Sequence, residues 1–275
     1  MQPLRLASFS TDNKGGNPAG VVIAPQHPSD QEMRQIAADL GYSETAFASP
    51  QDDAWRVRYF APESEVPFCG HATVALGAAL AAQHGNGVYT LVLNDTTITV
   101  EGHSENGQMR AALQSPATHS APAAPDLTAA ALALLGLGTD DLDPRLTPSF
   151  AGAGATHLIL ALNSRDTLAA MSYDLAAGRD LMREHGLVTI MLVWVENDQL
   201  FHARNAFASG GVLEDPATGA AAAAFSGYLR DIAWPHGGKI TIIQGEDMGA
   251  KSIITAEIPD EKGASIRVSG EVRQI

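Results

Sequence analysis

Three short stretches of the chain carry residues that could move a proton or hold an acid. Glu44 lies in GYSETAFA, between a tyrosine, a serine and an apolar run, just after Gly41 ends an amphipathic segment. A carboxylate drawn into such surroundings suits general acid–base work near neutral pH. Cys69, Gly70 and His71 stand at the head of the Ala-rich segment ATVALGAALAAQHG. A histidine at a helix start meets the positive end of the dipole, which suits a neutral imidazole to donate or accept a hydrogen bond. In EDPATGAAAA, Asp215 precedes Pro216 as an N-cap precedes a proline at N1, so Thr218 and Gly219 fall in the first turn. The unsatisfied N–H groups of two such helix starts bind carboxylates readily. Taken singly, each residue also has a plainer reading: Glu44 as a solvated loop glutamate, Cys69 as a small buried hydrophobe, Asp215 as ordinary capping.

Other chemistries lack their residues. The single cysteine rules out an intrachain disulfide framework and a multi-thiolate zinc cluster, and no H-E-x-x-H spacing occurs, so no resident metal is expected. GGNPAG, from Gly15, has neither the G-x-x-x-x-G-K spacing nor a strand-to-helix G-x-G-x-x-G, so nucleotide binding is unsupported and no cofactor is expected. No local signature of a cysteine nucleophile surrounds Cys69; rapid stoichiometric labelling of its thiol with loss of activity would mark a cysteine hydrolase.

The positioning elements follow from periodicity. LRLASFS, VVIAP, WRVRYFA, VYTLVLND, TTITVEG and QMRAALQ read as strands, with tight turns at Asn94-Asp95 and Asn106-Gly107. Ser29 and Glu32 have capping-box spacing, Met33, Ile36, Ala37 and Leu40 share a helical face, and Gly41 stops the helix. ATVALGAALAAQHG and PATGAAAAAFSGYL are apolar on nearly every side, as helices buried all round must be. AALALLGL and DTLAAMSYDL read as further helices, and HLILAL, LVTIMLVWV, QLFHAR, ITII, SIITAEI and SIRVSG as strands. Residues 115–128, SPATHSAPAAPDLT, lack periodicity and read as a linker. An internal echo joins RYFAPESEVPFCGHATVALGAAL, from Arg58, to RNAFASGGVLEDPATGAAAAAF, from Arg204: an arginine at a strand end, an F-A pair, a turn, an A-T dipeptide and an Ala-rich helix. The expectation is an α+β protein of two similar halves, residues 1–116 and 117–275, with the last strand free to cross back. Each half would be a curved, mostly antiparallel, barrel-like sheet wrapped around a buried central helix.

With 275 residues, 45% hydrophobic and 17% charged, the chain can bury one large core or two modest ones. A net charge of -14 disfavours phosphate backbones and anionic lipid, so neither nucleic acid nor membrane is an expected partner. The start has no basic flank followed by an apolar run, and the lone cysteine fits a reducing compartment, so a cytoplasmic location is expected.

Several words occur together and in order: GGNPAGVVIAP, GYSETAF, RYFAPESEVPFCGHATVALG, R-x-x-F-A leading to EDPATGAA, and QGEDMGAKS from Gln244. Together they resemble the PhzF (phenazine biosynthesis-like) family, whose fold is that of diaminopimelate epimerase, from about residue 5 to the last strand. The resemblance implies pseudo-twofold halves with the site in the cleft between them, a homodimer, and a cofactor-independent isomerase or epimerase acting by proton transfer on a small carboxylate-bearing substrate. It makes Glu44 of the S-E-T word the acid–base residue, with His71 and Asp215 sharing its protons. Asn17, Gly70, Ala72, Thr218, Gly219 and Ala220 become substrate-binding positions. Diaminopimelate epimerase carries a cysteine at each of two helix starts; the corresponding places here are expected at Cys69 and Asp215, which excludes a two-thiol mechanism. Ala220 stands where the family usually has serine, Ala250-Lys251-Ser252 stands where Arg-Pro-Ser is usual, and the loop AFASGGVLED is shorter by one residue and lacks the proline usual after F-A. Those departures motivate a second reading, a catalytically silent binding or interaction protein that keeps the fold.

Overall fold

The computed structural model describes residues 2–275. Its first elements are β1 (Leu4–Ser10), β2 (Asn17–Ile23), α1 (Asp30–Leu40), β3 (Thr45–Gln51), β4 (Ala54–Phe60), β5 (Glu65–Val66), α2 (Gly70–His84), β6 (Gly87–Val92), β7 (Thr97–Glu105) and β8 (Gln108–Gln114). There follow β9 (His119–Pro122), α3 (Pro125–Leu134), β10 (Ser149–Gly152), β11 (Thr156–Leu162), α4 (Arg165–Ala169), α5 (Leu175–Glu184), β12 (Thr189–Asn197) and β13 (Leu200–Ala206). The chain finishes with β14 (Glu214–Asp215), α6 (Gly219–Asp231), β15 (Lys239–Gln244), β16 (Ser252–Glu257) and β17 (Arg267–Gln274). Two compact units divide it: residues 2–114 with Ser269–Ile275, and Ser115–Val268.

In the first unit, β1 lies antiparallel to both β2 and β17, β2 runs parallel to β3, and β3 antiparallel to β4. β4 runs parallel to β6, β6–β7 and β7–β8 are antiparallel, and β8 pairs with β17. The circuit returns to β1, so eight strands close a barrel and leave no edge to protect. Inside it, α2 packs against β1, β2, β3, β6, β7 and β8, and its residues from His71 to Ala81 are all buried. That is why its sequence is apolar on every side. Closeness to the wall is set by glycine: a Cβ on Gly102 of β7 would lie 2.0 Å from the Gly77 carbonyl oxygen. Outside the barrel, α1 begins with the expected reciprocal Ser29–Glu32 capping box and stops at Gly41 in the left-handed region.

The second unit repeats the succession. β9–β10 and β10–β11 are antiparallel, β11–β12 parallel, β12–β13 antiparallel, β13–β15 parallel and β15–β16 antiparallel. α6 packs against β9, β10, β11 and β16, while Leu127, Leu132, Met182 and Leu187 of α3, α5 and the strand approach join Leu158, Leu160 and Leu192 in a second apolar layer. The pairing order matches that of β17-β1-β2-β3-β4-β6-β7, so the internal echo is a structural repeat. No helix among the described residues is long and apolar enough to cross a membrane.

Three local expectations are corrected. Residues 119–122, inside the expected linker, form β9 and pair with β10, and Pro125 starts α3. Backbone pairing needs no side-chain periodicity, which is why this strand escaped. The helix expected over 166–175 ends at Ala169, and Asp174 instead caps α5 by accepting from the Ala177 N–H. Asp215 is not the N-cap of the second buried helix: it closes β14, and α6 starts at Gly219 with Thr218 as cap residue.

Candidate active site

At the head of α2, His71 is 6% exposed and turns its Nε2 toward Glu44 Oε2, 3.5 Å away. Ser43 Oγ lies 3.4 Å from the same nitrogen, and Cys69 Sγ lies 3.4 Å from Nδ1. The frame around them is fixed by side chains bonded to backbone. Ser8 Oγ donates to the His71 carbonyl at 2.7 Å and Thr73 Oγ1 donates to the Cys69 carbonyl at 2.7 Å. Tyr59 OH meets Thr73 Oγ1 at 2.6 Å, and burial pushes the Tyr59 phenol far above its ordinary pKa. Glu44 precedes β3, its carbonyl accepting from the Gly20 N–H of β2 at 3.2 Å. Asn17 stands opposite Ser8 in the β1–β2 ladder, one side chain removed from the His71 carbonyl. Gly70 and Ala72 belong to the first turn of α2, where the Cys69 side chain makes no capping hydrogen bond. The first-turn N–H groups thus keep the capacity to bind an anion.

In the second unit, Asp215, Thr218 and Gly219 are organised by a residue that sequence reasoning did not single out. Gln244 is wholly buried at the end of β15; its Oε1 accepts from the Thr218 N–H at 3.1 Å and from Asn205 Nδ2 at 3.2 Å. Its Nε2 donates to the Asp215 carbonyl at 2.7 Å and to Thr218 Oγ1 at 3.0 Å. Thr218 Oγ1 donates in turn to Asp215 Oδ2 at 2.5 Å. The chain of bonds extends inward: Thr189 Oγ1 donates to Asn205 Oδ1 at 2.8 Å, and His157 Nδ1 meets Thr189 Oγ1 at 2.8 Å. His157 is fully buried with no hydrogen-bond partner at Nε2, and desolvation lowers its pKa to about 4. A polar residue on the inward face of ITIIQ, in line with Ile240 and Ile242, was the available signal for Gln244.

Register relates the two sets. Tyr59 pairs with Val66 and Phe60 with Glu65, as Asn205 pairs with Asp215 and Ala206 with Glu214. Arg58 grips Glu65 through Nε and Nη2 at 2.8 and 2.6 Å, and Arg204 grips Glu214 through the same atoms at 3.0 and 2.5 Å. The repeat therefore reads E-x-P-x-x-G, from Glu65 to Gly70 and from Glu214 to Gly219, and the A-T dipeptides are out of register. Cys69 corresponds to Thr218, not to Asp215, and His71 to Ala220. Phe60 pairs with Thr45 and Ala206 with Ile190, so Glu44 corresponds to Thr189. Groups able to exchange a proton at these positions sit in the first unit; the second carries hydroxyl and methyl groups instead. Lys251 is paired with Glu246 at 3.6 Å.

The family model described as phenazine biosynthesis-like protein, PhzC-PhzF, matches residues 6–273. The uncharacterized isomerase YddE of Escherichia coli (strain K12) is 30% identical over 281 residues, spanning 98% of this chain and 94% of that protein. A PhzF-family phenazine biosynthesis protein of Bacillus anthracis superposes with a TM-score of 0.86 at 22% identity, covering 100% of this chain and 98% of the other. A predicted epimerase of Pseudomonas aeruginosa gives 0.84 at 23% identity, covering 99% and 96%. At such identities the solved structures speak to fold alone.

Proposed function

The chain belongs to the phenazine biosynthesis-like (PhzC-PhzF) family and is an isomerase, and from that premise we propose that Glu44 performs a cofactor-independent proton transfer on a small carboxylate-bearing substrate. The observation that carries the reading is the Glu44–His71 pair, 3.5 Å apart at the head of the buried helix α2. Glu44 takes a proton from a carbon whose electron pair the substrate's own carboxyl or conjugated system delocalises, then returns it from the same side to a different carbon. Nothing is oxidised or reduced, and the product is an isomer. His71 supplies a hydrogen bond beside the working carboxylate, and the first-turn N–H groups at Gly70 and Ala72 favour the negative charge that develops. Asn17 supports this frame from β2. Within the second unit, Asp215, Thr218, Gly219 and Ala220 are the proposed substrate-holding set.

The test is solvent exchange. Incubation in deuterated water with amino acids, hydroxy acids and dihydroaromatic amino acids should give deuterium uptake by one class, read by mass spectrometry. Glu44→Gln should lose it. Uptake that persists in a folded Glu44→Gln protein would remove Glu44 from the mechanism.

A further inference from the structure

We propose that Glu44, Cys69 and His71 form a site for a zinc-class divalent cation, and that its occupation silences the enzyme. Each residue offers one ligand atom, and the three atoms lie within 4.8 Å of one another. His71 Nε2 is 3.5 Å from Glu44 Oε2 and 3.9 Å from Cys69 Sγ. On zinc bond lengths to sulfur, nitrogen and oxygen, tetrahedral ligand atoms stand roughly 3.3–3.6 Å apart, so the two His71 distances need to close by a few tenths of an ångström at most, and the Cys69–Glu44 separation, within 4.8 Å, by at most about 1.3 Å, a rotamer-scale movement of the part-exposed Glu44 carboxylate. Among the described residues no other three such side chains converge.

The donor set chooses the ion. A thiolate, an imidazole and a single carboxylate suit zinc or cobalt, whereas magnesium and calcium require oxygen shells. The backbone carbonyls of Cys69 and His71 are tied down by Thr73 and Ser8, and Glu44, with 14% of its side chain exposed, stands on the solvent side where a water can complete the coordination. As the metal–sulfur bond forms, the Cys69 thiol proton passes to solvent. Zinc enzymes leave their acid–base groups outside the metal shell; here the cation takes Glu44 and His71 as ligands, so binding removes the groups assigned to proton transfer. The silencing half of the proposal rests on that assignment, and the binding half does not.

Titration of the reduced, chelator-treated protein with cobalt(II) separates them. One equivalent should produce thiolate-to-cobalt charge-transfer absorption that zinc bleaches by displacement. Cys69→Ser should abolish the band, and Glu44→Gln and His71→Gln should weaken binding by more than about tenfold. A wild-type protein without the band, or a Cys69→Ser protein that keeps it, overturns the site; the wild-type spectrum decides even if a variant folds poorly. Zinc at one equivalent should also stop deuterium uptake. Binding without that loss overturns the silencing, whereas absence of uptake in metal-free protein counts against the proton transfer assigned to Glu44 and leaves the site standing.

Discussion

Glu44 and Thr189 occupy the same position in their respective units, each just ahead of the strand residue that pairs with Phe60 or Ala206, yet only Glu44 carries an ionisable side chain. The Thr189 hydroxyl is instead consumed by Asn205 and His157 inside the second unit. Replacing the two residues should therefore have opposite consequences. Glu44→Gln should cost about 10²–10⁴ in proton-transfer rate with little change in stability. Thr189→Val leaves Asn205 Oδ1 and His157 Nδ1 unsatisfied and should cost about 1–3 kcal/mol, with exchange at the first unit retained. Urea midpoints and deuterium uptake on both variants supply the comparison.

The two arginine grips are not equally costly to break. Side-chain exposure is 11% and 7% for Arg204 and Glu214, against 19% and 26% for Arg58 and Glu65. Arg204 Nη1 also donates to the carbonyls of Ala169 and Met171, closing the end of α4, whereas Arg58 Nη1 reaches Asp30 at the start of α1. Arg204→Ala strands a buried carboxylate and open carbonyls and should cost about 3–5 kcal/mol. Arg58→Ala, wetter on both partners, should cost about 1.5–3 kcal/mol. Equal losses in denaturant melts would contradict the role assigned to burial.

His157 should make the protein acid-sensitive. Its folded pKa of about 4 lies below the ordinary 6.5, so the unfolded chain binds the proton first. The neutral folded imidazole keeps its full advantage above pH 6.5 and loses it as pH falls toward 4, a difference on the order of 3 kcal/mol. The stability of His157→Leu, lower at neutral pH for want of the Thr189 bond, should fall less steeply over that window. Parallel stability-against-pH curves for the two proteins would dismiss the histidine as the cause.

Gln244→Leu should loosen the start of α6 specifically. Without the side-chain amide, the Thr218 N–H loses its acceptor and the Asp215 carbonyl its donor. Amide hydrogen exchange at Thr218 should accelerate at least tenfold, corresponding to about 1.4 kcal/mol or more of local protection, while amides of α2 keep wild-type rates. Uniform acceleration across both helices would indicate global destabilisation instead.

Much of the architecture is legible before any coordinates. Period-two runs locate β1, β4, β7 and β13, the Ser29–Glu32 spacing locates α1, and two all-apolar helices announce two enclosing sheets. What escaped was decided by backbone pairing or by distance in sequence. β5 and β14 are two residues each, too short for any period, and they set the registers that make Thr218 the counterpart of Cys69 in the repeat. A D-P pair usually signals a helix start, and at Asp215 strand pairing with Asn205 overrode it. Glu44 and His71 were each visible as residue types, but their approach depends on β2 and β3 lying side by side against α2, which no local pattern encodes.

β17 gives the order of synthesis a role in the chemistry. The barrel that holds Glu44 and His71 is one stave short until the last strand slots between β1 and β8. Since β17 is translated after β9–β16, the unit begun first cannot close until the strands of the second have been made, the reverse of ordinary N-to-C folding. The acid–base pair thus matures only once translation has passed β17, so a chain truncated ahead of Arg267 would carry every residue of the pair and still lack the wall that holds it in place.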